Sequence, residues 1–174
     1  NINNTQIMIK EQLINAINAQ ICQELTASYS YLGMSTYFDE LSLDGFSGWM
    51  QNQHSEEHEH AMKLLNYLQD RGGRVQLASI PSPQIEFSSI LEVFEISLQM
   101  EIENTSSINK LYELATEQND HATKSHLQWF LDEQVEEEKS MEDIIANLKL
   151  IGDDKAGLLY LNDKLGNRTS ESAD

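Results

Sequence analysis

Apolar residues recur along this chain at intervals alternating between three and four, the spacing that collects side chains on one face of an α-helix. The pattern predicts four long helices: Thr5 to Asp39, Asp44 to Gly72, Ser88 to Gln118, and His121 to Ile151 with Gly152 as its stop. A short fifth helix is expected from Asp154 to Leu165. Strong helix formers fill these stretches, and Gly72-Gly73 makes a natural terminator for the second. Nowhere does a period of two persist, so no strand is expected. Pro81 and Pro83 are the only prolines, and both fall between the second and third helices. Residues 1–166 read as one domain, and the small, polar tail 167–174 is expected to fray.

The connections set the topology. Few residues around Leu41–Leu43 join helices one and two, and few near Asn119–Asp120 join three and four, so each pair is expected to be antiparallel. The segment from Arg74 to Phe87 is longer. About 13 residues reach about 43 Å when extended, and a helix of about 28 residues is about 42 Å long. The segment is therefore able to run the length of the bundle. The fold class is all-α: a four-helix bundle with one long crossover and a short C-terminal fifth helix.

Each helix carries a seam of mainly apolar positions. The first runs Ile14, Ile17, Ile21, Glu24, Ser28, Tyr31, Ser35, and the second Phe46, Met50, Gln53, Glu57, His60, Leu64, Tyr67. The third runs Ile90, Phe94, Ser97, Glu101, Thr105, Ile108, Tyr112, and the fourth Leu127, Phe130, Gln134, Glu137, Met141, Ile144, Leu148. Every seam is interrupted near its middle by a carboxylate: Glu24, Glu57, Glu101 or Glu137. An ionised carboxylate in a dry core costs several kcal/mol unless it is paired or bound to a metal. No Lys or Arg lies on a seam, so a multivalent cation is the economical partner. Solvated faces with each seam misplaced by one position are the bland alternative, but that shift breaks the flanking apolar pattern. Oxygen ligands with one imidazole suit iron or manganese better than structural zinc. Glu57, at the centre, is placed to bridge two ions. Glu57-x-x-His60 fits the Glu-x-x-His spacing of di-iron bundles, whereas Gln134-x-x-Glu137 departs from it.

Charge supports this reading without deciding it. With 11 basic and 29 acidic residues in 174, the net charge is −18. Such a surface repels nucleic acid and anionic membrane and attracts cations. The single cysteine, Cys22, excludes an internal disulfide and a CxxC site and fits a reducing compartment. A cytoplasmic location is expected, with a targeting segment removed before Asn1 left open. No apolar run is long enough to span a bilayer.

Three stretches resemble the non-haem ferritins of the bacterial type, and the likeness extends over nearly the whole chain. They are Gln23-Glu24-Leu25-Thr26-Ala27-Ser28-Tyr29-Ser30-Tyr31-Leu32, Glu56-Glu57-His58-Glu59-His60-Ala61, and Leu127-Gln128-Trp129-Phe130 followed by Glu133-Gln134 and Glu136-Glu137-Glu138. The resemblance implies ferroxidase activity: two Fe²⁺ are oxidised by O₂ and stored as ferric mineral inside a twenty-four-subunit homo-oligomeric cage. It implies Glu24, Glu57 and His60 as ligands of a first iron and Glu57, Glu101 and Glu137 as ligands of a second, with Gln134 beside the second. It implies a third site from Glu56, Glu133, Glu136 and Glu137, and it places Tyr31 next to the centre. The apolar face of the last helix (Leu158, Leu159, Leu161, Leu165) fits packing at a symmetry axis, or packing back on its own bundle. Haem is not expected, because His58 stands where bacterioferritins carry a haem-ligating methionine.

Two rival readings come from other classes. His54-Ser55-Glu56-Glu57-His58 matches the H-x-x-E-H pattern of a zinc peptidase. A metal-free helical interaction module would leave the four seam carboxylates without a partner.

Overall fold

A computed structural model describes residues 9–171, with side chains through Asn167. The chain folds into α1 (Glu11–Glu40), α2 (Asp44–Asp70), α3 (Ile90–Glu117), α4 (His121–Ile151) and α5 (Lys155–Glu171). Among the described residues there is no strand. The outer ends of α1 and α5 differ most from the sequence expectation; the other helix ends lie within two residues of it. Ile9 and Lys10 precede α1 rather than belonging to it, and Thr5 to Met8 lie outside the described residues. Helix α5 continues to Glu171, so 167–171, expected to fray, are helical, and 172–174 lie outside the described residues.

Three helix ends close in the same way. After α1, α2 and α3, residues Ser42, Gly72 and Asn119 take positive φ of 57°, 76° and 55°. The next amide then bonds back across the last turn: Leu43 N to Phe38 O, Gly73 N to Leu68 O, and Asp120 N to Ala115 O, at 3.0, 2.9 and 2.9 Å. This is the Schellman closure, and glycine takes it at no steric cost. The starts of α3 and α4 are capped by the side chain of their own N-cap residue. Ser89 accepts from Glu92 N (3.1 Å), and Asp120 accepts from Thr123 N (3.0 Å). Asp120 also takes a two-pronged ion pair from Arg71 (2.9 and 2.8 Å), which fastens the start of α4 to the end of α2.

Helix α1 pairs with α2, α3 pairs with α4, and α1 also packs on α3. The crossover runs beside α1. Near one end, Asn18 donates to Arg74 O (2.9 Å) and accepts from Gln76 N (2.7 Å). Fifteen residues along α1, about 22 Å at 1.5 Å per residue, Gly33 meets Gln84 and Pro83. A Cβ on Gly33 would stand 2.7 Å from Gln84 O, so only glycine admits the crossover there.

Helix α5 packs back on its own bundle, against the start of α2. Leu161 and Leu165 are buried, and Asn162 Oδ1 accepts from Gly45 N (2.9 Å) and Phe46 N (3.1 Å). It supplies from α5 the cap that Leu43 does not give α2. A Cβ on Gly45 would fall 1.8 Å from Asn162 O, so glycine lets the helices touch. Of the two packings open to this helix, docking on its own bundle is the one seen within the chain. What remains exposed is Leu159 and Tyr160, at 56% and 74%.

Two apolar clusters fill the bundle. One, around Phe38, Phe46, Phe94 and Leu148, occupies the end where α5 docks. The other, around Leu13, Leu68, Ile108 and Leu127, fills the opposite end. A polar layer lies between them.

Candidate metal centre

The middle layer collects Glu24, Glu57, Glu101 and Glu137, one from each long helix, all buried. His60, Gln134 and Tyr31 are buried beside them. Ligand atoms of Glu24, Glu57 and His60 lie within 4.8 Å of one another. Those of His60, Glu133 and Glu137 form a second such group.

Three of the four carboxylates are held by neutral donors. Glu24 accepts from Gln20 Nε2 (2.8 Å) and Asn104 Nδ2 (3.1 Å). Glu101 accepts from the Tyr31 hydroxyl and from Gln134 Nε2 (3.2 Å). Glu137 accepts from Gln53 Nε2 (2.7 Å). Glu57 is the exception. Both of its oxygens are buried and neither has a hydrogen-bond partner; the same holds for His60 Nδ1, which faces Glu57 Oε2 at 3.4 Å. Buried polar atoms are almost always bonded, so three orphans converging on one point call for a missing partner.

Electrostatics point the same way. Burial, then the Glu57 charge, raises the Glu24 carboxyl well above its ordinary value. Burial, then the Glu101 charge, does the same to Glu57. Burial raises Glu101 against the hydrogen bonds from Tyr31 and Gln134, which pull it down. Glu137 is pushed up to about 8, by burial first and Glu101 second. Burial and the Glu101 charge keep the Tyr31 phenol protonated and donating. No Lys or Arg joins the layer among the described residues; a divalent cation supplies the opposite charge that lets such carboxylates ionise.

The residues read as a third site divide. Glu133 is half-buried and joins His60 and Glu137. Glu56 is exposed and faces this group from α2: partial burial raises its carboxyl, His60 opposes that, and the Glu133 charge adds to it. Glu136 is exposed and belongs to neither group. The peptidase pattern does not converge. His54 Nδ1 lies at 2.8 Å from the Ser28 hydroxyl and 2.9 Å from Ser28 O, and His58 is exposed.

Gln20 and Asn104 escaped the sequence reading. Along α3 the buried face alternates three and four without a break (Phe94, Ser97, Glu101, Asn104, Ile108, Leu111, Ala115). The seam read from sequence stepped from Glu101 to Thr105 and on to Tyr112, two positions that are only half-buried. Helices that wrap at a small angle hold a period of 3.5, and that period selects Asn104. Glu101 and Asn104 also floor a cleft of about 470 Å³ between α1 and α3, walled by Gln23, Ser30, Ser107 and Lys110.

Comparison with known proteins agrees with this architecture. A family profile described as a ferritin-like domain matches residues 14–151. A bacterial non-haem ferritin of Staphylococcus aureus (strain MRSA252) is 42% identical over 162 residues, covering 93% of this chain and 98% of that protein. A second, from Staphylococcus epidermidis, is 45% identical over 157 residues, 90% of this chain and 94% of that one. Among solved structures, an open-pore ferritin from the hyperthermophilic archaeon Archaeoglobus fulgidus superposes with a TM-score of 0.90 at 43% identity, covering 92% of this chain and 98% of that one. On the span of the profile and the level of identity, the chain belongs to the ferritin family, with bacterial non-haem ferritins among its relatives.

Proposed function

We propose that the chain is an iron-storage ferritin subunit that oxidises Fe²⁺ with O₂ at a di-iron centre within its own bundle and passes ferric iron to a hollow homo-oligomeric cage of twenty-four copies, in the cytoplasm. The observation that carries this reading is Glu57, a fully buried carboxylate with two unbonded oxygens beside an unbonded His60 nitrogen. Glu57 bridges the two ions. Glu24 and His60 complete the shell of the first, Glu101 and Glu137 that of the second, and Gln134 stands at the second through its bond to Glu101.

Iron is the substrate, and the chain's part is to hold two ions close in a hard, anionic shell. Oxygen ligands favour Fe³⁺ over Fe²⁺, so the shell lowers the barrier to losing one electron from each ion. The two electrons pass to one O₂, which takes up two protons to leave as hydrogen peroxide. Metal and proton compete for the oxygens of Glu24, Glu57, Glu101 and Glu137, whose affinity for protons burial raises. Glu133, with His60 and Glu137, offers a third position beside the centre. Glu56 and Glu136 extend that acidic surface. Haem has no role in this reading.

Aerobic addition of Fe²⁺ to the iron-free protein tests it. Ferric absorbance is expected to rise in a fast phase that saturates at two ions per chain, followed by slower growth on particles far larger than a monomer. A rise no faster than in protein-free buffer would refute the proposal.

A further inference from the structure

The donors that hold Glu24 form a chain with one direction. Ser107 Oγ donates to Gln20 Oε1 (2.6 Å). Gln20 Nε2 donates to Asn104 Oδ1 (2.6 Å) and to Glu24 Oε1 (2.8 Å). Asn104 Nδ2 donates to Glu24 Oε2 (3.1 Å) and to Gln134 Oε1 (3.4 Å). Gln134 Nε2 in turn donates to Glu101 Oε2 and to the Glu101 carbonyl (both 3.2 Å). The amide oxygens of Gln20, Asn104 and Gln134 each face a donor, and their nitrogens face acceptors, so turning any one over would break its neighbours' bonds. The Ser107 hydroxyl, which can donate, fixes the sense at the outer end. Gln20 and Asn104 are themselves buried.

The chain joins two carboxylates that belong to different ions in the di-iron reading, on which this inference rests. Glu24 stands on α1, Asn104 and Glu101 on α3, and Gln134 on α4. We propose that Asn104, acting with Gln20, is a positioning residue: it holds both Glu24 oxygens toward the first ion and, through Gln134, sets the separation of Glu24 from Glu101. Glu57, to which no amide or hydroxyl donates, is then the ligand left to adjust between the ions while the terminal carboxylates stay fixed. Asn104 also stands between Glu24 and the open cleft of α1 and α3, so the same amide keeps bulk water from the back of the Glu24 carboxylate. Residues that orient metal ligands in this way are worth 10- to 100-fold in metal affinity.

Anaerobic titration of the iron-free, assembled protein with Co²⁺, read by its visible absorption, tests the proposal. The parent is expected to bind two Co²⁺ per chain. Asn104→Leu removes all three amide bonds while keeping the branching at Cγ, and it should weaken the first site by 10- to 100-fold and the second, which it reaches only through Gln134, by less. Gln20→Leu should weaken the same site, and the double variant should lose less than the product of the two effects, because both act on one carboxylate. Asn104→Gln, which restores an amide, should recover part of the affinity. A purely structural role would lower the unfolding midpoint of the iron-free protein and leave both affinities at parental values. That result overturns the proposal, as does equal weakening of both sites. If Asn104→Leu does not assemble, Gln20→Leu alone reads the same outcomes. A parent that fails to bind two Co²⁺ per chain would instead contradict the di-iron reading itself.

Discussion

Replacing Glu137 with glutamine should stabilise the iron-free protein, and should do so more as the pH rises. In the folded chain this carboxyl titrates at about 8, against an ordinary value of 4.5, because it is buried and faces Glu101. Between pH 4.5 and about 8 the folded chain keeps a proton that the unfolded chain has released, so stability falls as pH rises through that window. Below 4.5 both states are protonated and the group is neutral in the balance. Above about 8 the full penalty applies; a displacement of this size corresponds to about 5 kcal/mol. Glu137→Gln removes the titration but keeps an oxygen to accept from Gln53 Nε2. For a chain of this length 1 kcal/mol moves the midpoint by about 2–4 °C, so the gain at pH 8 has an upper bound of roughly 10–20 °C and vanishes near pH 4.5. Thermal unfolding of chelator-treated parent and variant at pH 5, 6.5 and 8 measures it. The difference between the two cancels the pH response of the remaining acidic surface. Midpoints that run parallel across this range would show that Glu137 is not buried with a retained proton, and the electrostatic picture of the layer would fall.

Tyr31→Phe removes the phenol that donates to Glu101; it should cost about 1–3 kcal/mol of iron-free stability and slow or alter Fe²⁺ oxidation while leaving iron binding intact, with unchanged stopped-flow traces in every phase as the contrary result. Asn162→Ala strips the two bonds that cap α2 from α5, so the unfolding free energy should drop by about 1 kcal/mol with oxidation rates unaltered. Sedimentation of the purified protein is expected to show an assembly of about twenty-four chains, and a monomer or dimer under mild conditions would contradict the cage.

The four long helices were legible because the period of their apolar residues is strong and their stops are local: Gly72 and Asn119 are small or flexible residues that take positive φ. The crossover was legible from length alone. The start of α1 was read too early by at least Ile9 and Lys10, because Ile9 continues an apolar pattern although the helix starts at Glu11. Of the two packings the last helix allowed, the sequence could not choose docking on its own bundle, for a tertiary reason. Its docking depends on the bare Cα of Gly45 and on Asn162, one of which reads as a helix breaker and the other as a surface amide. Within the site, the seam carboxylates and His60 stood out because charge on an apolar face is rare. Asn104 and Gln20 did not, because a neutral amide near the edge of a seam carries no such signal and one step of frame hides it.

The di-iron reading turns on Glu57, and stopped-flow oxidation of Fe²⁺ at two ions per chain, in parent and Glu57→Ala, tests it most directly. The variant removes a buried, unbonded carboxylate and leaves both apolar clusters intact, so it should assemble and be no less stable without iron. The fast, oxygen-dependent phase should disappear, leaving only slow mineral growth. A Glu57→Ala protein that oxidises iron as fast as the parent would contradict the reading and place the centre elsewhere in the chain.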